Sequence, residues 1–255
     1  MDLHFNKVIA NSYKSNSQKI RVMSENWVES NMYCPNCGNP HIDNLENNKP
    51  VADFQCNYCG EIFELKSKEG ALGNKITDGA YHTMIDRITS SSNPDLFILQ
   101  YNKEYDVIGL TLVPKFFFVP SIIEKRKPLA PTAKRAGWIG CNILVNEIPL
   151  QGKIFIIQNQ HIYPSSEILQ NYNKIKKLKT QSIESRGWLL DVLNCVNQIP
   201  KKEFNLKDMY FFVEKLSQKH INNNNVEAKI RQQLQFLRDK GFIEFLGKGH
   251  YRKLL

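Results

Sequence analysis

Residues 51–67, VADFQCNYCGEIFELKS, place two of their three carboxylates and an amine at a spacing that could do chemistry on a phosphate. Asp53 stands at one end and Glu64-Leu65-Lys66 at the other. Strand residues i and i+2 project to the same face, so Glu64 and Lys66 would point together. If strands at 51–55 and 61–67 pair or lie as neighbours, Asp53 can meet them. Two oxygen-donor acids suit Mg²⁺. A metal with a lysine beside it can orient and deprotonate a water and offset charge on an attacked phosphate. Acids and lysines are common, however, and Glu-x-Lys also marks ordinary solvated strand faces.

The same stretch carries half of a second pattern. Cys34-Pro-Asn-Cys37 and Cys56-Asn-Tyr-Cys59 are two Cys-x-x-Cys pairs. Zinc takes four soft ligands in a tetrahedron, and two tight knuckles supply them. Gly38 and Gly60 each follow a second cysteine, where a knuckle often needs positive φ. Four thiolates leave no open position, so such a zinc would be structural. The other readings are two unrelated pairs or a redox Cys-x-x-Cys. Cys141 and Cys195 lie in the apolar contexts IGCNI and LNCVN and read as small buried hydrophobes.

These residues need elements to hold them. Residues 17–33 predict a helix with Ile20, Met23, Trp27 and Val28 on one side. DFQC, EIFELKS, DLFILQY, VIGLTLVP and KIFIIQ predict strands. Residues 77–90 read as a helix with Thr77 as a candidate N-cap. Strands and helices interleave, which predicts a mixed α/β (α+β) domain over 1–181. The polar, lysine-rich stretch 165–184 reads as a helix or linker at the boundary.

Residues 182–255 read differently. Helices are predicted over 185–199, with Trp188, Leu189, Val192, Leu193 and Val196 inside, over 205–220, and over 226–241 ending at Gly241. A strand, a Gly-Lys-Gly turn and a second strand follow. Three helices and a basic hairpin are the order of a winged helix. HINNNNVE marks the loop before the third helix.

The 255 residues carry a formal net charge of +9, and 42% of them are hydrophobic. A core can therefore form, and the basic balance suits a polyanionic partner such as nucleic acid. Residues 182–255 hold 13 Lys+Arg against 8 Asp+Glu, a density above that of residues 1–181, with 21 against 17. No apolar run reaches the ~18–20 residues of a membrane helix. The start, MDLHFNKVIANSYKS, does not read as a signal peptide, so a cytoplasmic chain with reduced thiols is expected.

Taken with their order, YKSNSQK, YCPNCGN, ENNKPVADFQCNYC, FELKSK, DGAY, RKPLAPTAKRAGWIGCNI, KIRQQLQFLRDK and the final YRKLL make the chain similar to the DpnI-type methyl-directed restriction endonucleases. The resemblance is collinear from the first twenty residues to the end. It implies a PD-(D/E)xK nuclease domain with an inserted zinc site, followed by a winged helix over 182–255. It implies Mg²⁺-dependent cleavage of double-stranded DNA at GATC carrying N6-methyladenine. It implies Asp53, Glu64 and Lys66 as catalytic residues, with Asp53, Glu64 and the Leu65 backbone carbonyl toward Mg²⁺. Cys34, Cys37, Cys56 and Cys59 would hold zinc, and the protein would be a monomer in solution. The proline that often directly precedes the aspartate is here Pro50, three positions earlier.

An N6-methyl group lies in the major groove beside the adenine N7 acceptor. A reader needs an apolar surface next to a polar fork. On the third helix Val226, Ile230, Leu234 and Leu237 form the core stripe. Ala228, Lys229, Gln232 and Gln235, flanked by Arg231, lie on or near the opposite face and are the candidate readers. Lys248, His250 and Tyr251 at the hairpin tip would meet phosphates. Arg126, Lys127, Lys134, Arg135 and Trp138 form a second candidate DNA-facing loop. A non-catalytic, zinc-containing winged-helix regulator is the competing expectation; Asp53, Glu64 and Lys66 discriminate, since a pure binder has no need to keep them together.

Overall fold

A computed structural model of the protein describes residues 1–45, 52–90, 92–180 and 182–254. Pro50, Val51 at the start of the predicted 51–55 strand, and Gln181 at the predicted boundary lie outside the described residues. The described residues fall into two compact units. One comprises Met1–Asn146 and Gln151–Lys176; the other comprises Glu147–Leu150 and Lys177–Leu255.

The first unit is organised by its apolar runs. β5 (Asp95–Tyr101) and β6 (Val107–Val113) are almost wholly buried along their length. A strand covered on both faces has no reason to alternate, which is why these segments read as continuous hydrophobic runs. They lie at the centre of a seven-stranded sheet in the order β1-β2-β3-β5-β6-β9-β10. Its other strands are β1 (Asp43–Asn44), β2 (Phe54–Gln55), β3 (Ile62–Glu69), β9 (Ile154–Gln158) and β10 (His161–Ile162). β3 and β5 are parallel, and every other neighbour is antiparallel.

Helix α1 (Asn16–Asn31) packs against β3. Ser15 caps it by accepting from the Gln18 N–H, and Met23, Trp27 and Val28 are buried. The other helices of the unit are α2 (Tyr81–Thr89) and α3 (Ser165–Lys176). More than half of the stretch 165–184 is thus a packed helix rather than a linker. Ile168, Tyr172 and Ile175, at helical spacing, are buried.

One predicted boundary is corrected. Thr77 is not an N-cap. It lies inside β4 (Lys75–Ala80), which pairs with β8 (Gly140–Leu144), itself paired with β7 (Ile123–Lys125), in a separate three-stranded antiparallel sheet. Ile76 and Asp78 are buried at period two, and this pairing overrides the helical reading up to Ala80.

In the second unit α4 (Ile183–Gln198) buries Trp188, Leu189, Val192, Leu193 and Val196. The helix predicted over 205–220 is two: α5 (Leu206–Tyr210) and α6 (Val213–Lys219). Phe212 sits at φ −94° and ψ 3°, a bridge conformation that interrupts the hydrogen-bond ladder. α7 (Val226–Asp239) follows the turn and buries Val226, Ile230, Leu234 and Leu237. β12 (Ile243–Gly247) and β13 (His250–Lys253) form the hairpin, whose turn carries positive φ at Gly247, Lys248 and Gly249. β11 (Glu203–Asn205) adds a third strand beside β13, too short to be seen in the sequence.

Asp95 is fully buried at the start of β5, where its carboxylate accepts from the Tyr172 hydroxyl at 2.7 Å and from the Lys115 backbone N–H at 2.7 Å. Burial, and the nearby Glu61 charge, push this carboxyl up to about 7. Tyr172→Phe removes one donor from a group that water cannot reach, so a loss of about 1–3 kcal/mol is expected. Urea unfolding measures it; an unchanged midpoint would show that this bond does not hold α3 to the sheet.

Candidate active site and cysteine cluster

The sheet register brings the acids together. β2 and β3 pair with Phe54 opposite Phe63 and Gln55 opposite Ile62, so Asp53 comes to lie beside Glu64. The Asp53 N–H donates to the Phe63 carbonyl at 2.9 Å, and its carboxylate Oδ2 accepts from the Leu65 N–H at 2.7 Å. The Asp53 side chain is therefore pinned at the end of its own strand. Burial pushes its carboxyl above the usual range; the Leu65 N–H pulls it back, and the Glu64 charge pushes it up again.

Glu64 and Lys66 project together from β3 as period two requires, with Lys66 Nζ 2.7 Å from Glu64 Oε1. Two further residues complete the site, and neither was picked out from the sequence. Asp78 Oδ1, on β4, lies 2.6 Å from Lys66 Nζ. Arg87 Nη2, on α2, lies 2.7 Å from Glu64 Oε2. The result is a chain of alternating charge: Arg87, Glu64, Lys66, Asp78. Burial disfavours the Lys66 ammonium, but the Glu64 and Asp78 carboxylates outweigh it and leave its pKa raised. The sequence holds no apolar alternation that would mark Asp78: the burial of Ile76 and Asp78 at period two is seen only in the structure, and the helical reading of 77–90 covered both Asp78 and Arg87.

This donor set fits a hard divalent cation. Asp53 and Glu64 are adjacent carboxylates whose like charges a cation would relieve. Each Glu64 oxygen already accepts from one nitrogen, but a carboxylate offers about four lone-pair sites, so room remains. The Leu65 carbonyl is the backbone oxygen nearest to hand in sequence.

Between β2 and β3 the chain makes its second cysteine knuckle. The four sulfurs of Cys34, Cys37, Cys56 and Cys59 all lie within 4.8 Å of one another. Cys34 and Cys59 are 3.6 Å apart, as are Cys37 and Cys56. A tetrahedral zinc with Zn–S bonds of about 2.3 Å places its sulfurs about 3.8 Å apart, so the cluster has the size and donors for that ion. The knuckles are alike. Gly38 N–H donates to Cys34 O and Gly60 N–H to Cys56 O, both at 2.8 Å. Gly38 and Gly60 take φ of +80° and +75°, a conformation that favours glycine. The Asn36 amide also donates to Cys59 Sγ at 3.4 Å, an outer contact that suits a thiolate ligand. Cys141 and Cys195 are buried and are not members of this cluster.

The candidate DNA-facing residues fall on two surfaces. Arg126, Lys127, Lys134 and Arg135 are exposed on the loop that joins β7 to β8. Trp138 is half-buried there, with its ring over Gly140 and the Arg135 guanidinium 5.0 Å from the ring centre. A side chain at Gly140 would come within 2.8 Å of the indole, so the glycine makes the seat for Trp138. In the second unit Ala228, Arg231, Gln232 and Gln235 lie exposed on α7, with Lys229 half-buried. Arg231 donates to the Tyr210 hydroxyl at 2.5 Å, which holds the guanidinium against α5. Lys248 and His250 are exposed at the wing, but Tyr251 is not. It is 7% exposed, with ring centres 5.5 Å from Phe204 and 5.3 Å from Phe245, and so braces the wing from inside.

Two known family profiles match the chain. The profile described as DpnI, Dam-replacing family, matches residues 1–181, and the Dam-replacing helix-turn-helix domain matches residues 184–253. These two matches support a restriction-type, methyl-directed nuclease that binds DNA. The chain belongs to the DpnI, or Dam-replacing, family.

Because the second knuckle is also the connection between β2 and β3, its loss should be felt twice. Cys56→Ser, or metal removal by a strong chelator, is expected to lower Tm by about 5 °C or more. Cys56→Ser should also reduce DNA cleavage. A folded variant with normal melting and normal activity would separate the knuckle from both.

Proposed function

We propose that the protein is a Mg²⁺-dependent, type II site-specific endonuclease that cuts double-stranded DNA at GATC when the adenine carries an N6-methyl group. Residues 1–181 form its nuclease domain and residues 182–255 a winged-helix DNA reader. The observation that carries this reading is the meeting of Asp53, Glu64 and Lys66 at the end of β2 and on one face of β3.

Asp53 and Glu64, with the Leu65 carbonyl, would hold the cation. Bound there, Mg²⁺ supplies a Lewis acid at the phosphate and an acidified water. Lys66 faces the same point, where its ammonium offsets charge gathering on the phosphate and orients the attacking water. Arg87 keeps Glu64 turned into the site through its 2.7 Å contact. Cys34, Cys37, Cys56 and Cys59 hold a structural zinc whose closed coordination leaves it no part in the reaction.

Sequence reading falls to two surfaces. On α7 the Ala228 methyl supplies apolar contact for the N6-methyl group, and Gln232 and Gln235 supply amide forks for the adenine edge. Lys229 and Arg231, with Lys248 and His250 of the wing, meet phosphates and set register. Arg126, Lys127, Lys134, Arg135 and Trp138 approach the duplex from the nuclease domain. The clean burial of Val226, Ile230, Leu234 and Leu237 supports this division of α7.

Two plasmid preparations that differ only in adenine methylation test the proposal. With Mg²⁺ the protein is expected to linearise the methylated one and leave the other intact. Equal cutting would remove methyl dependence; binding without cutting would favour the regulator. Asp53→Ala is expected to lower cleavage by about a thousandfold or more while retaining the DNA binding measured without a divalent cation. Gel-shift and single-turnover assays report the two separately, and a fully active variant would take Asp53 out of the site.

A further inference from the structure

We infer that Asp78 is a positioning residue for the catalytic lysine: it anchors the Lys66 amine independently of Glu64, leaving Glu64 to serve the divalent cation. This deepens the nuclease reading above and rests on it. Glu64 is asked to do two things at once. Its Oε1 faces Lys66 Nζ at 2.7 Å and its Oε2 faces Arg87 Nη2 at 2.7 Å. A cation that ligates Glu64 meets both positive groups, and like charges a few ångströms apart repel strongly in a partly desolvated site. A lysine held by Glu64 alone would either block the cation or be displaced by it.

Asp78 removes that conflict by position. It comes from β4, in a different sheet from β3, and its carboxylate reaches Lys66 Nζ at 2.6 Å. Its side chain is 4% exposed. Oδ1 also accepts from the Gly79 N–H at 2.7 Å, which fixes the rotamer. Oδ2 is buried with no hydrogen-bond partner among the described residues. A buried carboxylate with one oxygen unsatisfied costs stability. Its charge is met by Lys66, so the position makes physical sense as an anchor for that amine. The backbone is built to the same end. The register between β4 and β8 shifts between Asp78 and Ala80, a bulge of the kind that re-aims a side chain beside a site.

A mere counter-charge for a buried lysine would have the same geometry, so the test separates positioning from support. Asp78→Asn keeps an oxygen for Lys66 but not the charge; Asp78→Ala removes both. Four quantities are measured on wild type and both variants: kcat and KM for cleavage of methylated DNA in saturating Mg²⁺, the Ca²⁺ concentration giving half-maximal DNA binding by anisotropy, and Tm. Misplacement of a reacting group by about 1 Å can cost about 100-fold. Asp78→Ala is expected to lose about 100-fold in kcat and Asp78→Asn about tenfold, with KM within about twofold of wild type. In Asp78→Ala the Ca²⁺ half-point should rise about tenfold, as Lys66 falls back on Glu64. The added change Lys66→Met should return that half-point to the wild-type value, which a loss of mere support would not do.

Wild-type kcat in either variant overturns the inference. So does a Ca²⁺ half-point unaffected by Asp78→Ala or not restored by Lys66→Met, and so does a loss of kcat that disappears when the assay is run well below the variant's Tm. Should Asp78→Ala fail to fold, Asp78→Asn decides by the same readings, alone and with Lys66→Met. A wild-type protein that leaves methylated DNA uncut defeats the nuclease reading itself, and this inference with it.

Discussion

The antiparallel register of β2 and β3 is the constraint on which the rest of the site depends. With Phe54 opposite Phe63, the Asp53 carboxylate reaches the Leu65 N–H, and Glu64 and Lys66 share one face. A slip of one residue would turn Glu64 and Lys66 to the other face and leave Asp53 facing apolar neighbours. Such short strands specify register weakly by themselves; β2 has two residues. Two other features supply what length does not. Phe54 and Phe63 are both fully buried, and Phe63 stacks on Phe97 of β5 with ring centres 5.0 Å apart. The connection between the strands is a cysteine knuckle closed by the Cys56 N–H to Glu61 O bond, whose four-sulfur cluster ties it to residues 34–37.

Around that register the charges are arranged in sequence rather than merely gathered. Arg87, Glu64, Lys66 and Asp78 alternate in sign, and their side chains are 4–26% exposed. Removing one member of such a buried set leaves an uncompensated charge, which costs about 3–5 kcal/mol in comparable cases. The four groups come from β3, β4 and α2, so the network also fastens the small antiparallel sheet to the large one. Asp53 stands outside this chain of pairs, its charge held by a backbone N–H and raised in pKa by burial. That asymmetry suits a cation binding between a committed carboxylate and a less committed one.

The candidate DNA-facing surfaces follow the same economy of rigid supports. The loop between β7 and β8 is basic and exposed, yet Trp138 is seated on Gly140 and stacked by Arg135. On α7 the buried stripe fixes which residues must face outward, and Tyr210 holds one of them, Arg231. In the hairpin the buried Phe204 and Tyr251 rings stack and the exposed Phe245 ring packs against Tyr251, so the turn at Lys248 presents charge on braced strands.

Local pattern determined much by itself. Spacing alone set out the cysteine knuckles, because metal ligation demands donors at fixed short intervals. Period two paired Glu64 with Lys66, and period 3.6 divided α7 into its inner and outer faces. The family resemblance added roles that spacing cannot carry, among them methyl-directed recognition. Other features were decided by partners far along the chain. Residues 75–80 are a strand because β8 is there to pair with them, so Thr77 is no cap and Asp78 points inward. Arg87 reaches Glu64 because α2 follows that strand. The helix read over 205–220 breaks at Phe212, and β11 exists only as a partner of β13. Tyr251, next to the wing's basic tip in sequence, turns inward, where its ring packs on Phe204 and Phe245. Periodicity reports how a segment divides itself between core and solvent; which charge meets which across two sheets is set by contacts that no single segment encodes.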